Sequence, residues 1–309
     1  MSNPTFSVVI PAYNAAATLR DTVESVLAQT FSDFEIFIVD DGSSDTTVRE
    51  ALRLSSEDRR VRVVSQPNGG VSAARNFGAQ LTKGRFLAFL DADDQWAADK
   101  LERHDALHKA DATVNASFAG VEFCADVQGA LEAGPTASTV PNADLDISDV
   151  VVENPVCTAS NFVISREFYE ELGGFDETLR YAEDQEILAL LIAEGGTLRG
   201  IDAPLVRYRL SEDGLSCDFQ AMLDGWRSFA SSWLSERALA QAEATYCRYL
   251  ARRALRSGAN MAVARSFACR GLKADSAGFL AGGARSLLTL GGVIAGGAMP
   301  ASLRRTVFA

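Results

Sequence analysis

The chain reads as an α/β protein, an open sheet of buried strands with helices on both faces. Three observations carry that reading. Four short apolar runs, FSVVI (6–10), FEIFIV (34–39), VRVV (61–64) and FLAFL (86–90), are rich in β-branched or aromatic residues and too short for helices. Between them, Leu19, Val23, Val26 and Leu27, and then Val71, Ala74, Phe77, Gly78 and Leu81, recur at helical spacing. Three of the runs end in polar segments, PAYN (11–14), DDGSSD (40–45) and DADD (91–94). Alternating strands and helices of this kind build a largely parallel sheet. Ligands of such sheets lie beyond the carboxyl ends of the strands, so these three segments form the candidate site.

The remaining elements follow in order. A helix is expected over about 98–110 and a strand over 113–123. Residues 125–149, rich in Gly, Ala, Pro, Ser and Asp, read as a long loop bridging two halves of the fold. CTASNFVIS (157–165) reads as a strand, REFYEEL as a short helix, GGFDE as a turn, 182–194 as a helix and 204–210 as a closing strand. From about 218 the pattern is helical, with one hairpin turning near Ser257-Gly258. Trp226 and Trp233, seven apart, are placed on a helical core. The domain division drawn from this is 1–216, with a nucleotide-binding half to about 124 and an acceptor half from 125, followed by a helical region over 217–309.

Charge narrows the function classes. Twenty-nine basic against 41 acidic residues leave a net −12, so no nucleic-acid partner is expected. The bulk value hides an asymmetry: residues 1–234 carry 18 basic and 38 acidic side chains, residues 235–309 carry 11 and 3. From Ser286 to Leu303 there is no charged residue, with Arg285 before and Arg304-Arg305 after. Its four glycines and few large side chains favour a buried or interfacial segment over a membrane span, and the basic C-terminal helices suggest peripheral contact with an anionic membrane face. Five widely spaced cysteines without a CxxC, and no secretory signal pattern, suggest reduced thiols in the cytoplasm, where Asn115 is not glycosylated. His104 and His108 stand at chelating spacing but lack a third ligand, and an exposed helix face is the preferred reading. No P-loop or GxGxxG fingerprint is present.

Three carboxylate pairs remain: Asp40 with Asp41, Asp91 with Asp93, and Glu183 with Asp184. Singly, each is as readily a helix cap or a solvated turn. Together they suggest a site. Aspartates one residue apart at the end of a strand point to one side of the pleat. Such oxygen donors suit Mg²⁺ or Mn²⁺, an ion that takes its other ligands from phosphate and water.

The segments SVVIPAYN, ESVLAQTFSDFEIFIVDDGSSDTT, NGGVSAARNFGAQLTKGRFLAFLDADD and GGFDETLRYAEDQEI, over residues 6–216, resemble in order and spacing the inverting family 2 glycosyltransferases of the GT-A fold. That resemblance implies a mixed, Rossmann-like sheet flanked by helices. It implies a nucleotide-diphospho-sugar donor, most often a UDP-sugar, and a glycan or lipid-linked acceptor. Pro11, Tyr13, Asp41 and the neighbouring Asp40 would then line the nucleobase and ribose pocket. Asp91 to Asp93 would be the DXD motif, with Asp93 on the metal and Asp91 nearer the ribose, and Arg75 the donor-side arginine. Asp184 would be the general base, with Glu183 beside it. Trp96 lies on the acceptor side in such proteins, with core packing as the equal alternative. Two positions depart from the pattern: Leu190 stands where many relatives carry an arginine, and Ser211 where many carry a histidine. The alternative to an enzyme is an inactive nucleotide-binding or docking module of the same fold, which would be free to lose Asp91, Asp93 and Asp184; all three are present.

Overall fold

The computed structural model describes residues 3–127, 130–141, 145–210, 218–257, 259–300, 304, 307 and 308. The chain divides into two compact units, residues 1–146 with 155–210, and residues 147–154 with 211–309. Ser211, Cys217 and Gly258 lie outside the described residues.

The first unit is built on β1 (Phe6–Ala12), β2 (Phe34–Asp40), β3 (Val61–Ser65) and β4 (Phe86–Phe89), linked by α1 (Leu19–Leu27), α2 (Thr47–Glu57) and α3 (Val71–Leu81). All four strands pair in parallel in the order β3-β2-β1-β4. The chain steps outward from β1 to β3 and then returns to β1's other side, so the order reverses between β1 and β4. A crevice opens at such a reversal, beyond the strand ends. The apolar runs are buried on both faces, with Phe6, Val8, Ile10, Ile36 and Ile38 packed against Leu19, Val23 and Val26. α3 lies flush on the sheet because Gly78 has no side chain: a Cβ there would meet Val9 at 2.4 Å.

Beyond β4 the sheet turns mixed. The chain adds β5 (Gln95–Trp96), α4 (Lys100–Ala110), β6 (Val114–Val127), β7 (Ala130–Ala137), β8 (Val163–Ser165), α6 (Arg166–Leu172), α7 (Glu183–Ala193) and β9 (Thr197–Arg209), with α5 (Ile147–Val152) falling in the second unit. β8 runs antiparallel to both β4 and β6, and β9 lies parallel to β6. The segment expected as a loop from Ala125 is instead part of a hairpin, in which β7 pairs antiparallel with β6. Weak periodicity hid it, because this strand buries little and carries Pro135, a residue that sheets accept only at edges and bulges. The expected strand over 157–165 is extended only at its end. Thr158 caps a short 3₁₀ turn at Ala159–Asn161 by accepting from Ser160 N–H, and the Asn161 amide exchanges hydrogen bonds with Ala119 in place of a strand pairing.

His104 and His108 correct the sequence reading: both are buried. His108 Nδ1 lies 3.2 Å from the Val114 carbonyl and must carry the proton there, so His108 Nε2 accepts from Ser117 Oγ at 2.9 Å. Ser117 then accepts from His104 Nδ1 at 2.7 Å, and His104 Nε2 accepts from Lys100 Nζ at 3.0 Å. A one-way chain of donors results, each satisfied. It favours neutral groups: burial, then the charges of Lys100 and His108, holds His104 well below the usual range, and burial pushes Lys100 down to about 7.

The second unit is helical: α5, α8 (Phe219–Trp233), α9 (Glu236–Ser257), α10 (Met261–Ala274), α11 (Ser276–Leu280) and α12 (Ala284–Ala295). Trp226 is fully buried, stacks on Tyr246 and donates its indole N–H to Val151 O at 2.9 Å, while Trp233 is half-buried. No helix among the described residues is long and apolar enough to cross a membrane.

The buried lysine makes a testable statement about stability. Between about pH 7 and its unfolded value of 10.5, Lys100 holds its proton in the unfolded chain but not in the folded one. Stability therefore rises with pH across that window, and below pH 7 the full penalty applies. Urea unfolding of the native chain is expected to gain about 2 kcal/mol from this group between pH 7 and 9. Lys100→Met should flatten that slope; an unchanged slope would contradict a neutral buried amine.

Candidate active site at the strand ends

Each strand end contributes one polar segment, and short hydrogen bonds tie the segments together. At the end of β1, Pro11 is buried, and Tyr13 just beyond it is 55% exposed. Asn14 takes φ +50 and accepts from the backbone N–H of Ser44 at 2.8 Å, which joins the first loop to the second. At the last residue of β2, Asp40 Oδ1 accepts from Ser43 N–H. The Asp41 carboxylate accepts from Gln66 Nε2, Gly69 N–H and Gly70 N–H, all at 2.8 Å. Gly70 needs this anchor and its own lack of a Cβ, since it opens α3 at φ +92. Asp41 thus shapes the turn that launches α3.

α3 then delivers Arg75, whose side chain is 3% exposed. Its Nη2 donates to Asp91 Oδ1 at 2.7 Å and its Nη1 to Glu183 Oε1 at 3.1 Å, while its guanidinium lies over the Phe175 ring. Burial alone would lower the guanidinium pKa; the charges of Asp91 and Glu183 outweigh it and raise it, so Arg75 stays protonated. The next residue, Asn76, accepts from Tyr169 O–H and Phe175 N–H and donates to Phe175 O, which fixes the GGFDE turn on α3.

The DADD segment departs from the pleat geometry that its spacing suggests. β4 stops at Phe89, and Asp91 to Asp94 form a turn closed by Asp94 N–H to Asp91 O at 3.1 Å. Asp91 and Asp93 are still close enough to interact. Burial, then the charge of Asp91, pushes Asp93 up to about 6. Asp94 is fully enclosed, accepting from Ser160 Oγ at 2.6 Å and Arg209 N–H at 2.9 Å, and burial followed by the charges of Asp93 and Asp91 holds it well above the usual range. Arg209 donates Nε to the Asp93 carbonyl and pairs through Nη1 with Asp126. Trp96 resolves to the core reading: it is buried and donates its indole N–H to Ser160 O.

Glu183 and Asp184 begin α7, preceded by Ala182 in the left-handed region at φ +63. Asp184 is half-buried and its Oδ1 accepts from Gln185 N–H. Glu186, in the same turn, is pushed up to about 7 by burial and then by the charge of Asp176. Leu190 lies half-buried later in α7, and Ser211 falls outside the described residues.

Of the residues singled out from sequence, Arg75, Asp91 and Glu183 are joined directly, with Asp93 within electrostatic reach of Asp91 and Asp184 adjacent to Glu183. Pro11, Tyr13, Asp40 and Asp41 cluster at the ends of β1 and β2, where Asp40 pairs in register with Ala12. The supporting residues Asn76, Thr158, Ser160 and Arg209 were not singled out. The run of short hydrogen-bonding side chains in TASN was the available signal for two of them.

Comparison with known proteins gives the family of the chain. The family described as "Glycosyl transferase family 2" matches residues 7–173. TuaG of Bacillus subtilis, a glycosyltransferase named for teichuronic acid biosynthesis, is 29% identical over 249 residues, covering 79% of this chain and 93% of TuaG. An uncharacterized glycosyltransferase of Rickettsia felis is 30% identical over 185 residues, which is 60% of this chain and 31% of that protein. The crystal structure of S. aureus TarS 1-349 in complex with UDP-GlcNAc superposes with a TM-score of 0.62 at 18% identity, covering 98% of this chain and 90% of that one, and shows the shared fold.

Arg75 is the connection that chemistry at this site would need intact. Arg75→Met is expected to cost about 3–5 kcal/mol in urea unfolding, because it leaves two carboxylates without their buried partner. Arg53→Met, at an exposed pair with Glu57, should change stability by less than about 0.5 kcal/mol; equal effects would contradict the central role of Arg75. With its α/β sheet, its acidic strand ends and its match over residues 7–173, the chain belongs to glycosyl transferase family 2.

Proposed function

We propose that the chain transfers a sugar from a nucleotide-diphospho-sugar, a UDP-sugar, to a hydroxyl of a glycan or lipid-linked acceptor with inversion at the anomeric carbon. The observation that carries this reading is the Arg75 guanidinium, which bonds Asp91 of the donor-side turn and Glu183 at the start of α7. One residue therefore sets the distance between a diphosphate-binding edge and a candidate base. The complex of the TarS structure with UDP-GlcNAc supports the choice of donor.

Pro11, Tyr13, Asp40 and Asp41 are assigned to the nucleoside, with the exposed Tyr13 ring offering a face on which a base stacks. Arg75 is assigned to orient the donor edge. Asp93 and Asp91 are assigned to Mg²⁺ or Mn²⁺. Among the described residues no group of three or more metal-ligating side chains is assembled, so the ion would draw on these two carboxylates, phosphate and water. The donor set fits: burial first, and then the charge of Asp91, raise the pKa of Asp93, and a cation held between these two hard carboxylates offsets both. A divalent ion bound there supplies positive charge against which a departing diphosphate is stabilised.

Asp184 is assigned as general base. It stands in the first turn of a helix, at the positive end of the helix dipole. As the acceptor oxygen bonds to the anomeric carbon, its proton passes to the Asp184 carboxylate. The bond from that carbon to the diphosphate breaks, and its electron pair leaves with the nucleoside diphosphate. Attack and departure occur on opposite faces, so the configuration inverts without a covalent enzyme intermediate. Glu183 is held by Arg75 and serves to position the turn.

Two experiments test the assignment. Calorimetric titration with UDP, GDP and other nucleoside diphosphates, with and without Mn²⁺, is expected to show Mn²⁺-dependent binding of UDP that strengthens as pH rises through about 6, where Asp93 loses its proton. Asp93→Ala should weaken it at least about tenfold; metal-independent binding unchanged by the substitution would remove Asp93 from the ion. Asp184→Asn should lower kcat by about 10²–10⁴ with donor affinity retained, and a loss confined to donor affinity would assign Asp184 to binding instead.

A further inference from the structure

α12 is packed inside out. Its buried side carries Ser286, Thr289, Gly292 and Val293. Its outer side carries Leu287, Leu288 and Ile294, exposed at 66%, 51% and 78%, with Ala284, Gly291 and Ala295 completing the exposed face. Burial of apolar surface alone would turn the helix about half a revolution. Contacts inside the second unit prevent this. Gly292 lies so close to its neighbours that a Cβ there would meet the Phe308 ring at 2.3 Å and Leu255 at 2.8 Å, so no larger residue fits inward. The inward hydroxyls are satisfied, Ser286 donating to Phe279 O at 2.7 Å and Thr289 to Arg285 O at 2.8 Å. The large apolar side chains are thereby fixed outward.

The segment that carries this face holds charge of one sign. No acidic residue occurs from Ser276 to the last residue, Ala309. Arg285 is exposed in the first turn of α12, and Arg252 of α9 is near enough for the two positive charges to repel. At the other end Arg265 of α10, also exposed, donates Nε to Val293 O at 3.2 Å. An apolar strip with cations at both ends matches a surface that offers acyl chains and negative headgroups together. Twelve residues of helix reach about 18 Å, short of the roughly 30 Å hydrocarbon core, so the fit is to a helix lying in the interface.

We propose that α12 docks on an anionic lipid surface, with Leu287, Leu288 and Ile294 at the acyl boundary and Arg285 and Arg265 at headgroup level. The inference is independent of the donor site. It is tested by sedimenting the full chain with vesicles of phosphatidylcholine, and of phosphatidylcholine mixed with phosphatidylglycerol. Pelleting with the mixed vesicles only, reduced by high salt and weakened more than about tenfold in a Leu287→Ser, Leu288→Ser, Ile294→Ser variant of unchanged circular dichroism, is the expected result. Arg285→Glu should weaken the same binding in part. Failure of the full chain to pellet, or equal pelleting of the triple variant, would overturn the proposal. Sedimentation velocity adds a third arm: a dimer of the native chain that the triple variant dissociates, without vesicle binding by either, would assign the face to a second copy and overturn the lipid reading.

Discussion

A buried guanidinium must be compensated where it lies, and at Arg75 the compensation comes from two distant parts of the chain. Asp91 follows it by 16 residues and Glu183 by 108. Removing such a group from water costs several kcal/mol unless its partners meet it with good geometry. The turn after the parallel half of the sheet, which carries Asp91, and the turn that opens α7 are therefore required to come together at α3. Asn76 repeats the linkage one residue on by gripping the GGFDE turn, so α3 joins the two halves of the first unit through adjacent side chains. The Asp91 turn and the start of α7 are thus fixed relative to each other through Arg75.

The backbone around the crevice is held against its own preferences. Among the described residues, three other than glycine take positive φ, Asn14, Cys157 and Ala182. Each adjoins a segment of the site: Asn14 follows Tyr13, Cys157 precedes the Thr158 that reaches toward Asp91, and Ala182 precedes Glu183. Such conformations cost about 1 kcal/mol or more apiece and persist when surrounding contacts over-determine them. At Asn14 those contacts are visible in the bonds to Ser44 and Asp45, and at Ala182 in the carbonyl that accepts from Glu186 N–H. Polar loops held in this way suit the diphosphate-binding role proposed for the site.

Much of this was legible in the residues themselves. The four parallel strands announced themselves as apolar runs bounded by Pro, Asp and Gly, and the acidic clusters stood where such strands end. The bridging role of Arg75 was not legible from spacing, since nothing in ARNFG tells which carboxylates a helix will meet. The β6–β7 hairpin was hidden by small and polar residues that serve an edge strand as well as a loop. His104 and His108 looked like an exposed face because a polar side chain satisfied in a buried chain has the same letter as one in water; only the positions of Ser117 and Lys100 distinguish them. The antiparallel insertion of β8 between β4 and β6 likewise follows from tertiary pairing, with only a three-residue strand to signal it.

The account stands on Asp91 and Glu183 sharing one buried charge. A double-mutant cycle of Asp91→Asn and Glu183→Gln, read by urea unfolding, measures that sharing directly. Either single variant leaves Arg75 one carboxylate, whereas the double variant leaves none, so the double loss is expected to exceed the sum of the single losses by about 1–3 kcal/mol. Losses that add within about 0.5 kcal/mol would mean that the two carboxylates act independently, and the proposed link between donor edge and base would be lost with them.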